Sequence, residues 1–493
     1  MSRRLGRSTL DCLSPDVARP GYDWRAVQTG VVHLGIGAFH RAHQAVYFDE
    51  ALRRGDLRWG VAGVSLRSTR VRDELVPQDG LYSVLVREGD SVRARIIGAV
   101  RAVLVAPQDP PRVVRLLAQP QVHVVTLTVT EKGYKLDPAS GDLLREDGDV
   151  AADLRDLGTP RSVPGFIVAG LGARRRAGLA PFTLISCDNL PHNGRRLRGA
   201  VLALARAHDP SLADWICDEG AFPDTVVDRI VPAPTAESRA QASQRLGLED
   251  RASVSTEPFR QWVIEQRFAG PVPDLAALGV DLTADVEPWE QAKLRLLNGA
   301  HSAMAYIGGL AGVEFVHDLV ALPEGAAFIE ALWNESAQTL CAPRALDVAG
   351  YRAALLARFR NGALRHRLRQ IAMDGSQKLP QRLLAPLAAQ RASRRPAAML
   401  TLAVAAWMRW QRGVDDRGAS FAVDDPLAPQ TKRCLAGCAD AAARVQALLG
   451  LEAVFGADIR GDGGLRQALS CKLERIETMG ALGALREALA QRG

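Results

Sequence analysis

Four side chains that could move a proton and bind an alkoxide stand close together in the second half of the chain. They are Glu290, Lys293, Asn298 and His301. Pro288 favours the start of a helix just before them. In a regular α-helix, Glu290 and His301 then fall within about 80° of Lys293, and Asn298 about 140° away. The spacing predicts one shared helix face, with Asn298 at its margin.

These residue types suit the oxidation of an alcohol by hydride transfer. A lysine with a lowered pKa can take the hydroxyl proton, asparagine amides can hold the developing alkoxide, and a nearby glutamate could relay the proton to water. Only six of the 62 basic residues are lysines. Because arginine does not deprotonate in proteins, a retained lysine favours such a site. The alternative is a partly exposed helix with a Glu290–Lys293 ion pair and a hydrogen-bonded His301.

A glycine turn near the N-terminus could bind a dinucleotide. Residues 31–41 read VVHLGIGAFHR, which predicts a strand, a turn and the start of a helix. Gly35 permits the tight turn, and Gly37 lets a pyrophosphate approach the backbone at the helix start. His40 stands where the usual fingerprint has its third glycine. The expected cofactor contacts are Gly35, Gly37, Ala38 and Phe39.

The end of the second predicted strand bears on the choice of coenzyme. NAD enzymes usually carry an acidic residue there that binds the ribose hydroxyls, but this chain offers Ser65, Arg67, Ser68 and Arg70. An arginine at this place can accept a 2′-phosphate. We therefore expect NAD(H) with NADP(H) possible, and name Arg67 and Ser68 as contacts. The alternative is that these arginines are solvated loop residues.

The surrounding pattern predicts an α/β fold in two domains. Short apolar runs alternate with helical stretches up to about residue 186, which indicates a doubly wound parallel sheet of the Rossmann type. The predicted strands are 31–37, 59–66, 82–86, 93–100, 123–130 and 182–186. Long Ala/Leu/Arg-rich stretches at 288–308, 324–340, 351–374 and 464–492 predict helices. We place a dinucleotide-binding domain at 1–285 and a mainly α-helical substrate-binding domain at 286–493.

Composition excludes several other classes of protein. The formal net charge of +7 is dispersed and lacks the basic, aromatic stripe of a nucleic-acid binder. No segment is long enough to cross a bilayer, and the N-terminus lacks the apolar region of a secretory signal. Seven scattered cysteines lack zinc-ligand spacing. We expect a cytoplasmic, metal-free protein that binds neither membrane nor nucleic acid.

Six stretches together resemble the mannitol dehydrogenase family, the polyol-specific long-chain dehydrogenases. They read VVHLGIGAFHRAHQAVYFDEAL, TLTVTEKGY, SCDNLPHNG, FPDTVVDRIVP, EPFRQWVIE and KLRLLNGAHS. The resemblance implies a nicotinamide-dependent enzyme with a Rossmann-type N-terminal domain, a helical C-terminal domain and no zinc. It also implies residue roles: Lys293 as acid/base, Asn298 and Asn189 as oxyanion donors, His301 in the active site, Glu290 as proton relay and Asp228 on the substrate side. The missing acidic residue after the second strand departs from the family pattern.

Within the family, residues 364–384, LRHRLRQIAMDGSQKLPQRLL, look most like the fructuronate reductases. Arg365, His366, Lys378 and Arg382 could form a cationic cluster for a uronate carboxylate, although a solvated basic helix face is the alternative. The first expectation is therefore a sugar acid substrate, fructuronate reduced to D-mannonate. A mannitol, arabinitol or sorbitol dehydrogenase is the second, and a non-catalytic Rossmann-fold sensor is a remote third. The family often works as monomers, so we expect a monomer.

Overall fold

The computed structural model describes residues 3–137, 140–341 and 346–491. The chain separates into two compact units, Met1–Glu287 and Pro288–Gly493. No helix in the described ranges is long and apolar enough to cross a membrane.

The first unit is built on a five-stranded parallel sheet. The described residues of the first unit form eleven strands in three sheets. They are β1 (Val31–Leu34), β2 (Val61–Ser65), β3 (Tyr82–Glu88), β4 (Ser91–Ile97), β5 (Val100–Val105), β6 (Val124–Leu127), β7 (Thr183–Ser186), β8 (Thr225–Asp228), β9 (Val254–Thr256), β10 (Gln261–Glu265) and β11 (Asp281–Thr283). The main sheet has the order β5-β2-β1-β6-β7, and all of its pairs are parallel. The predicted Rossmann-type sheet is confirmed, and its strand order reverses at β1, where such sheets bind ligands.

Two of the predicted strands lie outside that sheet. β3 and β4 form an antiparallel pair that joins β9 in a separate sheet of three strands. The prediction of a single strand at 93–100 is wrong, because β4 ends at Ile97 and β5 starts at Val100 in the main sheet. Gly98 lies between them, where a Cβ atom would clash with Trp24. A third sheet, with the order β11-β10-β8, was not predicted.

Helices cover both faces of the parallel sheet. In this unit they are α1 (Ala38–Ala42), α2 (Gln44–Arg53), α3 (Arg70–Leu75), α4 (Pro110–Leu117), α5 (Gly148–Arg155), α6 (Val163–Arg176), α7 (Asn193–His208), α8 (Pro210–Glu219) and α9 (Ala236–Leu246). One apolar core packs α4, α6 and α7 against one face, and a second packs α1 and α2 against the other. The single helix predicted from His40 breaks at His43, whose φ of −120° and ψ of −87° are not helical.

The second unit is helical throughout the described residues. Its helices are α10 (Glu287–Ala292, which begins at the last residue of the first unit), α11 (Gly299–Leu310), α12 (Val316–Ala321), α13 (Pro323–Ala337), α14 (Val348–Arg360), α15 (Leu368–Ile371), α16 (Gly375–Leu379), α17 (Ala385–Ala392), α18 (Ala398–Trp410), α19 (Ala428–Leu435), α20 (Ala441–Leu449), α21 (Ala457–Gly461) and α22 (Gly463–Ala490). The fully buried α18 packs against α11 and α22. The prediction of one helix over 351–374 is wrong, because α14 ends at Arg360 and the chain turns before α15.

Two helical segments of this unit are π-helical, Lys293–Asn298 and Pro380–Leu384. They pack against each other. Gly299 allows the close approach, since a Cβ atom there would lie 2.9 Å from the carbonyl oxygen of Arg382.

Candidate functional site

The predicted glycine turn lies at the carboxyl end of β1. Gly35 has a φ of +93°, and a Cβ atom there would lie 2.2 Å from the carbonyl oxygen of Thr128. Both facts demand glycine. Gly37 differs, because a Cβ atom there would meet nothing closer than 3.7 Å. The space beside Gly37 is therefore free for a ligand, as a dinucleotide cradle requires, and Ala38 and Phe39 follow as the first residues of α1.

Two buried histidines, His33 and His40, pack beside this turn. The Nε2 of His33 lies 2.9 Å from Thr128 Oγ1 and 3.3 Å from the carbonyl oxygen of Gly35. The Nδ1 lies 2.7 Å from Thr126 Oγ1. His40 stacks on His33 with ring centroids 3.5 Å apart. His40 thus fills the space between strand and helix that a third glycine would leave open, and burial lowers the pKa of His33 to about 3.

A cavity of about 620 Å³ adjoins the end of β2. Its lining comprises Ser68, Thr69, Arg70, Asp73, Glu74, Arg239 and Arg251. Glu74 pairs with Arg70 at 2.9 Å. The Nη1 of Arg239 has no hydrogen-bond partner among the described residues. Arg67 is exposed and stands outside this lining. The cavity thus offers serine, threonine and arginine side chains together with the carboxylates of Asp73 and Glu74.

Asn189 and Asp228 lie at the carboxyl ends of β7 and β8, two strands of the first unit that belong to different sheets. Asn189 stands three residues after the end of β7 and is exposed. Asp228 is the last residue of β8 and is buried, opposite Gln261 in the antiparallel pairing with β10. The fold therefore presents an amide at the carboxyl edge of the parallel sheet.

Lys293, Asn298 and His301 are all buried in the second unit, with 8 to 9% of their surface exposed. The helix expected here to be regular is not, because Lys293–Asn298 is π-helical. The wider π turn takes up about one residue, or about 100° of rotation. His301 then falls about 20° from Lys293, and Asn298 about 40°. The π segment thus places Asn298 well within the face where it was expected to be marginal. Glu290 is half-buried in α10.

His366 and two arginines, Arg358 and Arg382, lie near His301. Its ring lies 5.1 Å from that of His366 and 4.8 Å from that of Phe359, centroid to centroid. Burial, and then the charges of His366, Arg358 and Arg382, hold the pKa of His301 well below its usual value. Its Nε2 has no hydrogen-bond partner within the described part of the chain. We call His301, Arg358, His366 and Arg382 the His301 group; Arg358 was missed because one arginine in a basic helix carries no sequence signal.

Of the other expected carboxylate ligands, one adjoins the His301 group and one does not. Burial, and then the nearby charge of Arg382, lower the pKa of Lys378. Lys378 donates to the carbonyl oxygen of Met373. Arg365 is exposed, and its guanidinium lies over the ring of Phe315, 5.2 Å from the centroid. Arg382 therefore lies near both His301 and Lys378, Lys378 also pairs with Asp374 at 3.9 Å, and Arg365 is exposed.

A nucleotide cradle at a parallel sheet and a buried lysine on a π-helical turn define the class, a Rossmann-fold oxidoreductase. Profiles described as the mannitol dehydrogenase Rossmann domain and C-terminal domain match residues 29–277 and 285–477. The chain belongs to the mannitol dehydrogenase family, whose members act on CH–OH groups of polyols or sugar acids. Among the described residues, no three His, Cys, Asp or Glu side chains group as a metal site would need.

Relatives of two substrate types are comparably similar. A D-mannonate oxidoreductase of Escherichia coli is 42% identical over 97% of this chain and 96% of its own length. A mannitol 2-dehydrogenase of Pyrenophora tritici-repentis is 38% identical over 98% of this chain and 85% of its own. The solved mannitol 2-dehydrogenase of Pseudomonas fluorescens, a ternary complex with NAD and D-mannitol, superposes with a TM-score of 0.84 at 35% identity, covering 99% of this chain and 100% of that one.

Proposed function

We propose that the protein reduces a keto-sugar acid to its alcohol, fructuronate to D-mannonate, with a nicotinamide coenzyme. The His301 group carries this proposal, with His301 and Arg358 buried and His366 and Arg382 half-buried. Burial lowers the pKa of Arg382, and an anion beside this guanidinium would offset part of its desolvation. A uronate carboxylate supplies such an anion, with the bidentate geometry that guanidinium groups favour. A neutral polyol does not.

The proton chemistry falls to the side chains of the π-helical segment. The bound coenzyme supplies or accepts the hydride. Lys293 gives its proton to the carbonyl oxygen during reduction and takes it back during oxidation. Asn298 and Asn189 donate amide N–H groups to that oxygen as negative charge develops. Glu290 relays the proton between Lys293 and water, His301 orients the substrate, and Asp228 binds its hydroxyl groups.

The coenzyme proposal is that NAD(H) and NADP(H) both bind. The turn at Gly35 and Gly37 would hold the pyrophosphate in either case. The cavity after β2 supports the acceptance of a 2′-phosphate, since Ser68 and Arg239 line it. Glu74, which would repel a phosphate, is held in its ion pair with Arg70. Titration of tryptophan fluorescence with NADH and with NADPH measures the two affinities directly.

A substrate panel tests the function. Fructuronate, tagaturonate and fructose, and the matching alcohols, are assayed with NADH and NADPH; fructuronate is expected to give the highest kcat/KM. Lys293→Ala should lower kcat by about 10²- to 10⁴-fold with coenzyme affinity unchanged. Lys432→Ala removes an exposed lysine from α19 and serves as the matched control. Wild-type activity in Lys293→Ala would refute the mechanism, and a preference for fructose would transfer the proposal to a polyol dehydrogenase.

A further inference from the structure

A buried carboxylate lies directly beside Asn189 and ties two loops together. Asp188 Oδ1 accepts hydrogen bonds from the backbone N–H groups of Val129, at 2.9 Å, and Thr130, at 2.8 Å. Its Oδ2 accepts from Tyr134 Oη at 2.9 Å. The three donors all belong to the loop that follows β6. Asp188 itself belongs to the loop that follows β7. The carboxylate therefore joins the segments that follow the carboxyl ends of β6 and β7.

An amide makes the matching connection on the other side. Asn193 Nδ2 donates to the carbonyl oxygens of Asp188, at 2.9 Å, and Thr225, at 3.0 Å. Its Oδ1 accepts from the backbone N–H of Thr225 at 3.0 Å. Asn193 is 1% exposed, and Asp188 is 8% exposed. The backbone of the loop from 188 to 193 is thus anchored at both ends, with Asn189 exposed between the anchors.

The loop after β6 has a strained backbone at the point where Asp188 holds it. Thr130 has a φ of +65°, a region that β-branched residues avoid. Such strain persists only where surrounding contacts impose it. The hydrogen bond from the Thr130 N–H to Asp188 is a contact of this kind. The strained backbone at Thr130 is thus held by the same carboxylate that joins the segments after β6 and β7.

We propose that Asp188 and Asn193 are positioning residues that fix the Asn189 amide for the reaction. An oxyanion donor lowers a barrier only if it is held in place before the charge develops, since reorganisation would cost what it gains. Asn189 is exposed and has no rigid secondary structure of its own. The backbone that carries Asn189 is held by the buried groups on either side. The inference rests on the proposed function, because it assumes that Asn189 donates to the substrate oxygen.

A second buried carboxylate provides the control for a merely structural role. Asp153 accepts hydrogen bonds from the N–H groups of Arg161, at 2.7 Å, and Ser162, at 2.8 Å, and from the Ser162 hydroxyl. It is fully buried in the same unit. Asp153 lies in α5 and bonds only the segment before α6. Asp153→Asn should therefore cost stability as Asp188→Asn does, without touching the strand ends.

Asp188→Asn, Asp153→Asn and Asn189→Ala are compared by kcat, KM, Tm and NADH affinity. Asp188→Asn should lower kcat by about 10- to 100-fold with KM and NADH affinity within about threefold, whereas Asp153→Asn should keep kcat within about twofold at a similar loss of Tm. Asp188→Ala should lower kcat further, because asparagine still offers one oxygen to the two N–H groups. In the double variant with Asn189→Ala, Asp188→Asn should lower kcat by no more than about twofold, as expected for residues that act through one another.

Three results would overturn the inference: a wild-type kcat in Asp188→Asn, an equal loss of kcat in Asp153→Asn, or losses that multiply in the double variant. If Asp188→Asn does not fold, Tyr134→Phe decides, since it keeps the carboxylate and its two backbone donors and removes only the Tyr134 hydroxyl, which bonds Asp188 and Ser186. An unchanged kcat in Tyr134→Phe then counts against the inference, and a fall of about threefold or more supports it. Failure of the proposed function has a separate signature, which is activity retained in Lys293→Ala.

Discussion

Arginine and lysine do different work in this chain. Lysine is scarce, and Lys293 is a buried one, whereas arginine supplies the remaining charge of the substrate region. The members of the His301 group come from separate helices and loops of the second unit, so no local spacing reveals it. Sequence reasoning named His366, Lys378 and Arg382 because they lie within one basic stretch, and it did not name Arg358, which lies before that stretch in α14. Arg365 stays a sequence-based prediction.

Removal of one guanidinium should separate the acid from the neutral sugar. Arg382→Gln is expected to lower kcat/KM for fructuronate by about 10- to 100-fold, the loss of one charge-assisted hydrogen bond, and that for fructose by less than about threefold. Arg367→Gln is the control, since Arg367 is exposed and lies over Phe315. Steady-state kinetics on both substrates measure the ratio. Equal losses on both substrates in Arg382→Gln would remove the argument for carboxylate binding.

At the scale of the elements, the fold departs from the sequence-based expectation where chain geometry is irregular. The Rossmann-type parallel sheet followed from alternating apolar runs, but its strand order did not. The break at His43, the division of 93–100 at Gly98 and the π-helical turn at Lys293–Asn298 did not. Each depends on a tertiary contact, such as a ring facing Gly98, and hydrophobic periodicity does not record such contacts. The stacking of His40 on His33 is another such tertiary contact. His40 stands where the motif usually has its third glycine.

The two glycines of the turn should respond differently to alanine. Gly35→Ala places a methyl group against the Thr128 carbonyl at a positive φ, so it should destabilise the protein by about 2 kcal/mol or more. Gly37→Ala has room in the protein itself but fills the space a pyrophosphate would take. It should weaken NADH binding by about tenfold or more and leave Tm unchanged. Thermal melts and fluorescence titration decide; NADH affinity unchanged in Gly37→Ala would contradict the assigned role of the turn.

Taken over the whole molecule, the buried histidines make stability depend on mild acid. Burial lowers the pKa of His33 and of His43 to about 3, and holds those of His40 and His301 well below 6.5. In the unfolded chain these groups titrate near 6.5, so the unfolded state binds more protons below that pH. Their contribution to stability is complete above pH 6.5 and declines as pH falls toward 3. Buried carboxyls with raised pKa values, such as Asp250, act in the opposite sense, but only nearer their own range.

The expected result is a Tm that falls steadily between pH 6.5 and 5. Each of these histidines contributes up to roughly 1 kcal/mol per pH unit within that window. His43→Gln keeps a donor for the carbonyl oxygen of Gln261, which His43 Nε2 contacts at 2.8 Å. This variant should show a shallower fall than the wild type. Thermal melts across the pH range measure both slopes, and identical slopes would rule out His43 as a contributor.

The π-helical turn at Lys293–Asn298 also has a consequence for how the chain can change length. A π turn holds one residue more than the α-helical turn it replaces. Deleting any one residue of this segment would restore a regular helix and leave the hydrogen-bonded backbone whole. It would leave His301 seven residues after Lys293, which in a regular α-helix is again about 20° away. One residue can therefore be removed between Lys293 and Asn298 with His301 still on the face of Lys293, whereas the same deletion in a regular α-helix would turn all later residues by about 100°.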